Sequence, residues 1–350
     1  MRRHAHVSSA IVLVGLALAC GGGGSGSGGG ATADITADNA VAIASDVMDA
    51  ILSTADLSTI GGGVAQDVFP TTALAAVAED TPLLAFAAAL SVAQARVEPL
   101  PSLPGGISAS AVIDPTTQPC DAGGTVTISG SLAGSQPTAG DRINAVFLNC
   151  VDKDENGVPL PALNGGLAFT TQGFSGNLDS LFSLLLALTF DELTSGTGAD
   201  RFMTDGSAST SFNNAAPPNV VSAVEGTNLR LERGDPAVPA DLIQLNLNVF
   251  EAQLTQNTED EDYEIEGDGQ VSSSKFEGDV DYDVTTTLGG DIDENGARDL
   301  PKSGVVLVDG NASSMEIVVV DATTLNLVLD LDGDGVDDLT LVKTWTDLGF

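Results

Sequence analysis

The sequence predicts a mainly β protein, with a large antiparallel sheet, open or barrel-like, and an N-terminal helical segment packed on it. Three observations support this fold class. From Cys120 onward, apolar and polar residues alternate with period two, which is typical of strands with one face on a core. The connections between these runs are short and rich in Gly, Asn and Asp, which favours hairpins. Residues 31–98 instead repeat their apolar positions at helical spacing.

Two short segments precede this body. Arg2 and Arg3 come before an apolar stretch over 10–19, so residues 1–19 have the pattern of a secretory signal. The apolar stretch is about half of the ~20 residues that a membrane-spanning helix requires. Residues 21–30 are all Gly or Ser and predict a flexible tether that spans roughly 17–19 Å.

The residues LALAC at 16–20 resemble the lipobox of bacterial lipoproteins, although Ala17 stands where that family has Leu. The resemblance implies that the signal is cut before Cys20 and that the Cys20 thiol carries a diacylglycerol. It further implies an exported protein that its lipid holds in the cell envelope. In a diderm bacterium, Gly21 rather than Asp after the cysteine would imply sorting to the outer membrane. The alternative is an ordinary cleaved signal with a chance cysteine.

Residues 31–98 predict helices that pack on the sheet. The first helix begins after Asp38, a capping residue, and ends at Gly61–Gly63. Its predicted apolar face consists of Ala40, Ile43, Val47 and Ile51. The residues predicted to face water are Asp46, Asp49 and Ser53. A second helical stretch, over 71–98, leads into Pro- and Gly-rich residues that predict a linker over 99–119. The β domain is therefore expected to span 120–350.

Three runs predict strands most clearly, at 125–132, 242–249 and 276–284. Their inward residues are predicted to be Val126, Ile128 and Leu132, then Ile243, Leu245, Leu247 and Val249, and finally Phe276, Val280, Tyr282 and Val284. The apolar run at 181–190 predicts a strand that is buried on both faces. The acids Glu277, Asp279, Asp281 and Asp283 form a row on one face. That row is either a cation-binding face or a solvated face that discourages aggregation.

Composition restricts the possible functions. A net charge of −37 repels nucleic acid and anionic membrane surfaces. Both histidines, His4 and His6, fall in the predicted signal, so the mature chain has no histidine for nucleophilic catalysis or for a metal site. This argues against an enzyme, although carboxylate-pair hydrolysis stays open. With Cys20 lipidated, Cys120 and Cys150 form an even pair that predicts a structural disulfide in an oxidising compartment.

Three loops repeat one spacing of acids, DLDGDGVDD at 330–338, DIDENGARD at 291–299 and DKDENG at 152–157. In a tight loop, side chains at i, i+2 and i+4 converge, Gly at i+5 permits a reversal, and an acid at i+8 completes a shell for a hard cation. The predicted ligands are Asp330, Asp332, Asp334, Asp338 and the Val336 carbonyl; Asp291, Asp293, Asn295 and Asp299; and Asp152, Asp154 and Asn156. In the shortest loop, Leu160 stands where the fourth acid belongs.

This spacing resembles the DxDxDGxxD calcium loops of thrombospondin type 3 repeats, dockerins and integrin propeller blades. It departs from the EF-hand because Leu341 occupies the twelfth position. Strand-like flanks favour the integrin-like form, which implies a structural Ca²⁺. The alternative is that Asp, Asn and Gly simply make good turns. DKDENGVPLP and DIDENGARDLP are also alike beyond the motif, which suggests a duplicated strand–loop–strand unit.

The whole chain resembles the acidic, β-rich lipoproteins that are common in bacterial genomes, a resemblance that implies no activity. It leaves three candidate functions. The first is a lipid-anchored envelope protein with a calcium-stabilised β domain and a structural or binding role toward a protein or glycan. The second is a carrier of apolar ligands, whose sheet would curve round a cavity. The third is a carboxylate-dependent glycan hydrolase, which needs two acids in a cleft with an aromatic wall.

Overall fold

Fourteen antiparallel strands lie side by side in a single sheet, in the order in which the chain makes them. The computed structural model describes residues 32–68, 111–133, 136–153, 157–177, 180–239, 242–293 and 298–350, with 61–68 and 111 described by their backbone alone. The strands are β1 (Ala111–Pro119), β2 (Gly123–Leu132), β3 (Arg142–Val151), β4 (Leu163–Gly176), β5 (Phe182–Ser195), β6 (Phe202–Ala216), β7 (Asn219–Arg233), β8 (Ile243–Asn257), β9 (Asp262–Ser273), β10 (Asp279–Asp291), β11 (Ser303–Asp309), β12 (Ser314–Val319), β13 (Thr324–Asp330) and β14 (Leu339–Thr344). A short 3₁₀ helix spans Gly198–Asp200.

The fold class is confirmed, and the sheet is open. Within the described part of the chain, β1 and β14 are its two edges, because neither pairs with a strand on its outer side. Every connection joins neighbouring antiparallel strands, so no crossover is needed. One face of the sheet carries the apolar core, together with the helices α1 (Ala40–Val68) and α2 (Trp345–Leu348).

The helix α1 packs on the sheet, as predicted, but it is buried on nearly all sides. It contacts β5 to β9, β13 and α2. Of the three residues predicted to face water, Asp46 and Ser53 are 2% and 3% exposed, and Asp49 is half-buried. The water-facing prediction was therefore wrong, because it assumed a helix lying on a flat surface. Among the described residues, no helix is long and apolar enough to cross a membrane.

Both predicted ends of the first helix differ in the structure. At its start Thr36 and Asn39, rather than Asp38, satisfy the first backbone groups: Thr36 N–H donates to Asn39 Oδ1 at 2.8 Å. Asn39 N–H donates in return to Thr36 Oγ1 at 3.4 Å. At the other end the helix runs through Gly61–Gly63 to Val68. Each Gly costs about 1 kcal/mol relative to Ala, and burial over residues 40–60 outweighs this cost. The second predicted helix, over 71–98, lies outside the described residues.

The sheet begins earlier than predicted. Residues 111–119, assigned to the linker, form the nine-residue edge strand β1. Proline is compatible with an edge strand because it lacks only a ladder donor. The pairing of β1 with β2 shifts between Ile113 and Thr116, on either side of Pro115. The remainder of the predicted linker, 99–110, lies outside the described residues.

The predicted inward faces are confirmed where the ladder is regular. In β2 the side chains of Val126, Ile128 and Leu132 are buried. In β8 the prediction was wrong at Val249, which is 56% exposed. The pairing with β9 shifts between Leu247 and Val249, so one extra residue inverts the alternation.

The apolar run at 181–190 becomes β5, but the prediction of burial on both faces was wrong. Leu184, Leu186 and Leu188 are buried, whereas Leu185 between them is 38% exposed. Here an apolar composition hides an ordinary alternation of inward and outward residues, because the outward positions also carry Leu or Ala.

Candidate metal centre

The loop between β13 and β14 brings three acids together at one end of the sheet. One carboxylate oxygen from each of Asp330, Asp332 and Asp338 lies within 4.8 Å of the others. In the described part of the chain this is the one such group of three His, Cys, Asp or Glu residues. Asp330 ends β13, and Asp338 precedes β14. The hairpin therefore holds the first and last predicted ligands in place from both strands.

Backbone N–H groups orient Asp330. Gly335 N–H donates to Asp330 Oδ2 at 2.8 Å, and Gly333 N–H donates to Oδ1 at 2.7 Å. Gly333 and Gly335 have φ values of 70° and 82°, which glycine adopts without strain. The N–H of Gly335, followed by that of Gly333, holds the pKa of the Asp330 carboxyl below its usual range. Asp330 therefore stays ionised to lower pH than an ordinary aspartate.

The predicted ligands Asp338, Asp334 and Val336 differ in the contacts that they make within this loop. Asp338 Oδ2 accepts the N–H of Leu331 at 2.8 Å, which closes the loop on itself. Asp334 lies outside the group of three, and its Oδ1 accepts the N–H of Val336 at 2.8 Å. Val336 thus enters the loop as a hydrogen-bond donor. The structure brings together Asp330, Asp332 and Asp338, but not Asp334.

In the loop after β10, a lysine of the chain itself neutralises the first predicted ligand. Asp291 pairs with the ammonium of Lys302, and its carbonyl accepts the N–H of Asp299 at 3.0 Å. Asp291, Asp293 and Asp299 do not converge as the acids of the 330 loop do. The predicted ligand Asn295 lies outside the described residues.

The side chain of Arg298 points from this acidic loop into the protein interior. Its guanidinium pairs with Asp56 of α1, and the two side chains are only 13% and 14% exposed. The guanidinium also lies 5.6 Å from the ring centroid of Tyr263. Burial lowers the pKa of Arg298 to about 10. The ring of Tyr263 covers Gly290, and its hydroxyl donates to the Asp299 carbonyl at 2.5 Å.

Sequence reasoning missed this ion pair, which joins a predicted metal loop to the N-terminal helix. One signal was available. The chain has only 12 Lys and Arg, and Arg298 stands at the eighth of the nine positions of an acidic motif, where the calcium pattern does not require it.

The loop after β3 repeats the backbone pattern of the loop after β10. The carbonyl of Asp152 accepts the N–H of Leu160 at 2.8 Å, eight residues on, as Asp291 accepts Asp299. Lys153 and Pro159 form an isolated bridge, and Ile292 and Arg298 form the equivalent one. This repetition supports the duplication that the sequence suggests. The Asp152 carboxylate accepts the N–H of Asp121 at 2.8 Å, whereas Asp154 and Asn156 lie outside the described residues.

The two body cysteines lie at disulfide distance, as predicted. The Cα atoms of Cys120 and Cys150 are 5.4 Å apart across a separation of 30 residues. Cys120 follows β1 and Cys150 lies in β3, so the bridge spans β2. Cys20, the signal and the tether lie outside the described residues.

A groove of about 800 Å³ crosses β5 to β10 and carries a row of acids. Glu225, Glu251 and Asp268 are register partners on β7, β8 and β9. A hydrogen bond with Asp268 raises the pKa of Glu251, and the charges of Asp268 and Glu225 raise it further. The described lining of the groove contains no aromatic side chain.

The predicted acidic row of β10 is only partly formed. Glu277 precedes the strand, Asp279 is half-buried, and Asp281 and Asp283 are exposed. Asp281 lies opposite Asp309 of β11. Partial burial raises the pKa of Asp309, and the charges of Asp281 and Asp283 raise it further.

Comparison with protein-family models, with curated proteins and with solved structures finds no match to this chain.

Proposed function

We propose that this protein is a non-catalytic envelope protein, anchored by lipid at Cys20, whose β domain is stabilised by Ca²⁺ bound in the loop between β13 and β14. Its role is structural or is the binding of a protein or glycan partner. The observation that carries the proposal is the group formed by Asp330, Asp332 and Asp338.

The chemistry of this group suits a hard divalent cation. Three carboxylates supply oxygen ligands, and water completes the shell. In the described part of the chain, no ion pair joins any of the three acids to Lys or Arg, unlike Asp291 with Lys302. Close carboxylates repel by roughly 1 kcal/mol per pair even in water. A bound cation would remove that repulsion and hold β13 to β14. We expect the 10⁻⁴–10⁻³ M affinity that is typical of extracellular modules.

A glycan hydrolase is the second candidate, because the groove carries neighbouring carboxyl groups, those of Glu251 and Asp268, although hydrolysis needs a pair about 5–10 Å apart. Such enzymes use one protonated and one ionised carboxyl group. The described lining has no aromatic platform for a sugar, so we place this candidate second. The carrier has weaker support, because α1 covers the inner face of β5 to β9 and the groove is lined mainly by polar groups.

A thermal melt in calcium and in chelator tests the metal site. With calcium 10- to 100-fold above its Kd, residues 31–350 are expected to gain about 1–3 kcal/mol in unfolding free energy. Asp332→Asn and Asp338→Asn should each abolish the gain, because each removes a charged ligand with little change of shape.

Two controls sharpen this test. Asp283→Asn removes an exposed acid outside the loop and should keep the full response to calcium. Magnesium should stabilise less, since it demands a stricter octahedral shell. Identical melts of the unsubstituted protein with calcium and with chelator would refute the calcium proposal.

Mass spectrometry of the mature N-terminus tests the anchor. We expect the chain to begin at Cys20 with a diacylglycerol on its sulfur, because the LALAC sequence resembles a lipobox. Cys20→Ser should release the protein from membranes, since it removes the acyl chains that would hold it there. A mature chain with an unmodified Cys20 thiol would disprove the anchor without affecting the metal proposal.

A further inference from the structure

Two acids one turn apart on α1 lie at its interface with the sheet, where Asp46 is buried and Asp49 is half-buried. Asp46 accepts a hydrogen bond from Ser273 Oγ, at the end of β9, and an ion-paired hydrogen bond of 2.6 Å from Lys275 Nζ. Ser273 Oγ in turn accepts the Lys275 N–H at 3.1 Å. These contacts fasten α1 to the turn that follows β9.

The carboxylate of Asp49 has fewer hydrogen-bond and ion-pair partners than that of Asp46. It lies three residues after Asp46, so the two side chains are neighbours on the helix surface. Its described hydrogen-bond donor is Ser53 Oγ, at 3.3 Å. The nearest ammonium, that of Lys275, is already in contact with Asp46. Burial raises the pKa of Asp49, and the negative charge of Asp46 raises it further.

The charged groups that act on Asp49 come from three elements. Asp46 lies on α1 itself, Lys275 in the turn after β9, and Arg233 at the end of β7. Arg233 also lies over the ring of Phe202, with its guanidinium carbon 5.4 Å from the ring centroid. Of the other elements packed on α1, namely β5, β6, β8, β13 and α2, none adds a charge that acts on Asp49 among the described residues.

We propose that Asp46, Asp49 and Lys275 form a proton-controlled latch that holds α1 on the sheet tightly in acid and more loosely at higher pH. This latch would act whether or not calcium is bound in the loop between β13 and β14. With Asp49 protonated, one carboxylate meets one ammonium. Loss of that proton places a second negative charge in the interface beside Asp46.

The number of protons bound in each state determines whether docking of α1 strengthens or weakens as the pH rises. The pKa of Asp49 is higher in the folded protein than in an ordinary aspartate, so the docked state binds more protons than the undocked state between these two values. Docking is therefore favoured at low pH and weakens as the pH rises through the folded pKa. Undocking would uncover the apolar inner faces of β6, β7 and β8, which α1 contacts.

Amide hydrogen exchange of the full chain across a pH series tests the latch. Protection is expressed relative to the unfolded chain at the same pH, which removes the intrinsic pH dependence of exchange. We expect the protection of α1 to fall by up to tenfold per pH unit within the window, which is the limit for one linked proton. Protection of β12, which α1 does not contact appreciably, reports how global stability changes with pH, and the fall for α1 is measured relative to it.

Asp49→Asn should flatten the pH profile of α1 and leave it well protected at high pH. Asp38→Asn, at an exposed acid just before the helix, is the matched control and should keep the original profile. If Asp49→Asn fails to fold, Ser53→Ala serves instead. It removes a hydrogen bond to ionised Asp49 and should move the window to higher pH. A pH-independent α1 in the unsubstituted protein, or an unchanged slope in Asp49→Asn, would overturn the proposal.

Discussion

Arg298→Met is expected to lower the free energy of unfolding by about 3–5 kcal/mol, because it leaves the buried carboxylate of Asp56 without its partner. The cost of the unpaired charge dominates, since Met retains much of the volume that packs near Tyr263. Equilibrium unfolding in urea, followed by circular dichroism, measures the change.

Lys302→Met is the matched control, because it removes a cation from the same loop at an exposed pair. The side chains of Lys302 and Asp291 are 48% and 56% exposed, so the loss should stay within about 1 kcal/mol. Combining Arg298→Met with Asp56→Leu should recover most of the stability, because no charge is then left buried alone. Equal losses in the two single variants would contradict the buried character of the Arg298 pair.

Replacing both Cys120 and Cys150 by Ala is expected to destabilise the protein by about 3–4 kcal/mol in the chain-entropy model. The bridge closes a segment of 30 residues, and its loss frees the unfolded chain. The same urea titration measures the effect, and a thiol reductant added to the unsubstituted protein should reproduce it. An unfolding midpoint that ignores both changes would mean that the bridge does not constrain the unfolded state.

The fold class was predictable because period-two alternation survives in most strands. The residues that depart from their predicted pattern do so because of contacts between distant parts of the chain, which the local sequence does not show. Val249 points outward because of a bulge in the ladder between β8 and β9. Asp46 is buried because Ser273 and Lys275, more than 200 residues away, meet it. Edge strand β1 was hidden by its prolines, which local reasoning assigns to linkers.

In the candidate site, too, the sequence predicted what local geometry determines and missed what distant contacts determine. The spacing in the 330 loop predicted the convergence of Asp330, Asp332 and Asp338, because i, i+2 and i+8 are set by local backbone geometry. The nearly identical spacing in the 291 loop produced no such group among the described residues, and there Asp291 pairs with Lys302 instead. A motif specifies which oxygens can converge, whereas distant partners determine whether they do.

The order of the sheet has a consequence for how the chain folds. Each strand pairs with its neighbours in sequence, so hairpins can form one after another as synthesis proceeds, with little loop-closure entropy. The N-terminal segment is the exception. Ala33 bonds to Asp279 and Asn311, and α1 contacts β13. The N-terminal segment with α1 is synthesised before the strands. We nevertheless expect it to reach its native position last, after nearly the whole sheet has assembled.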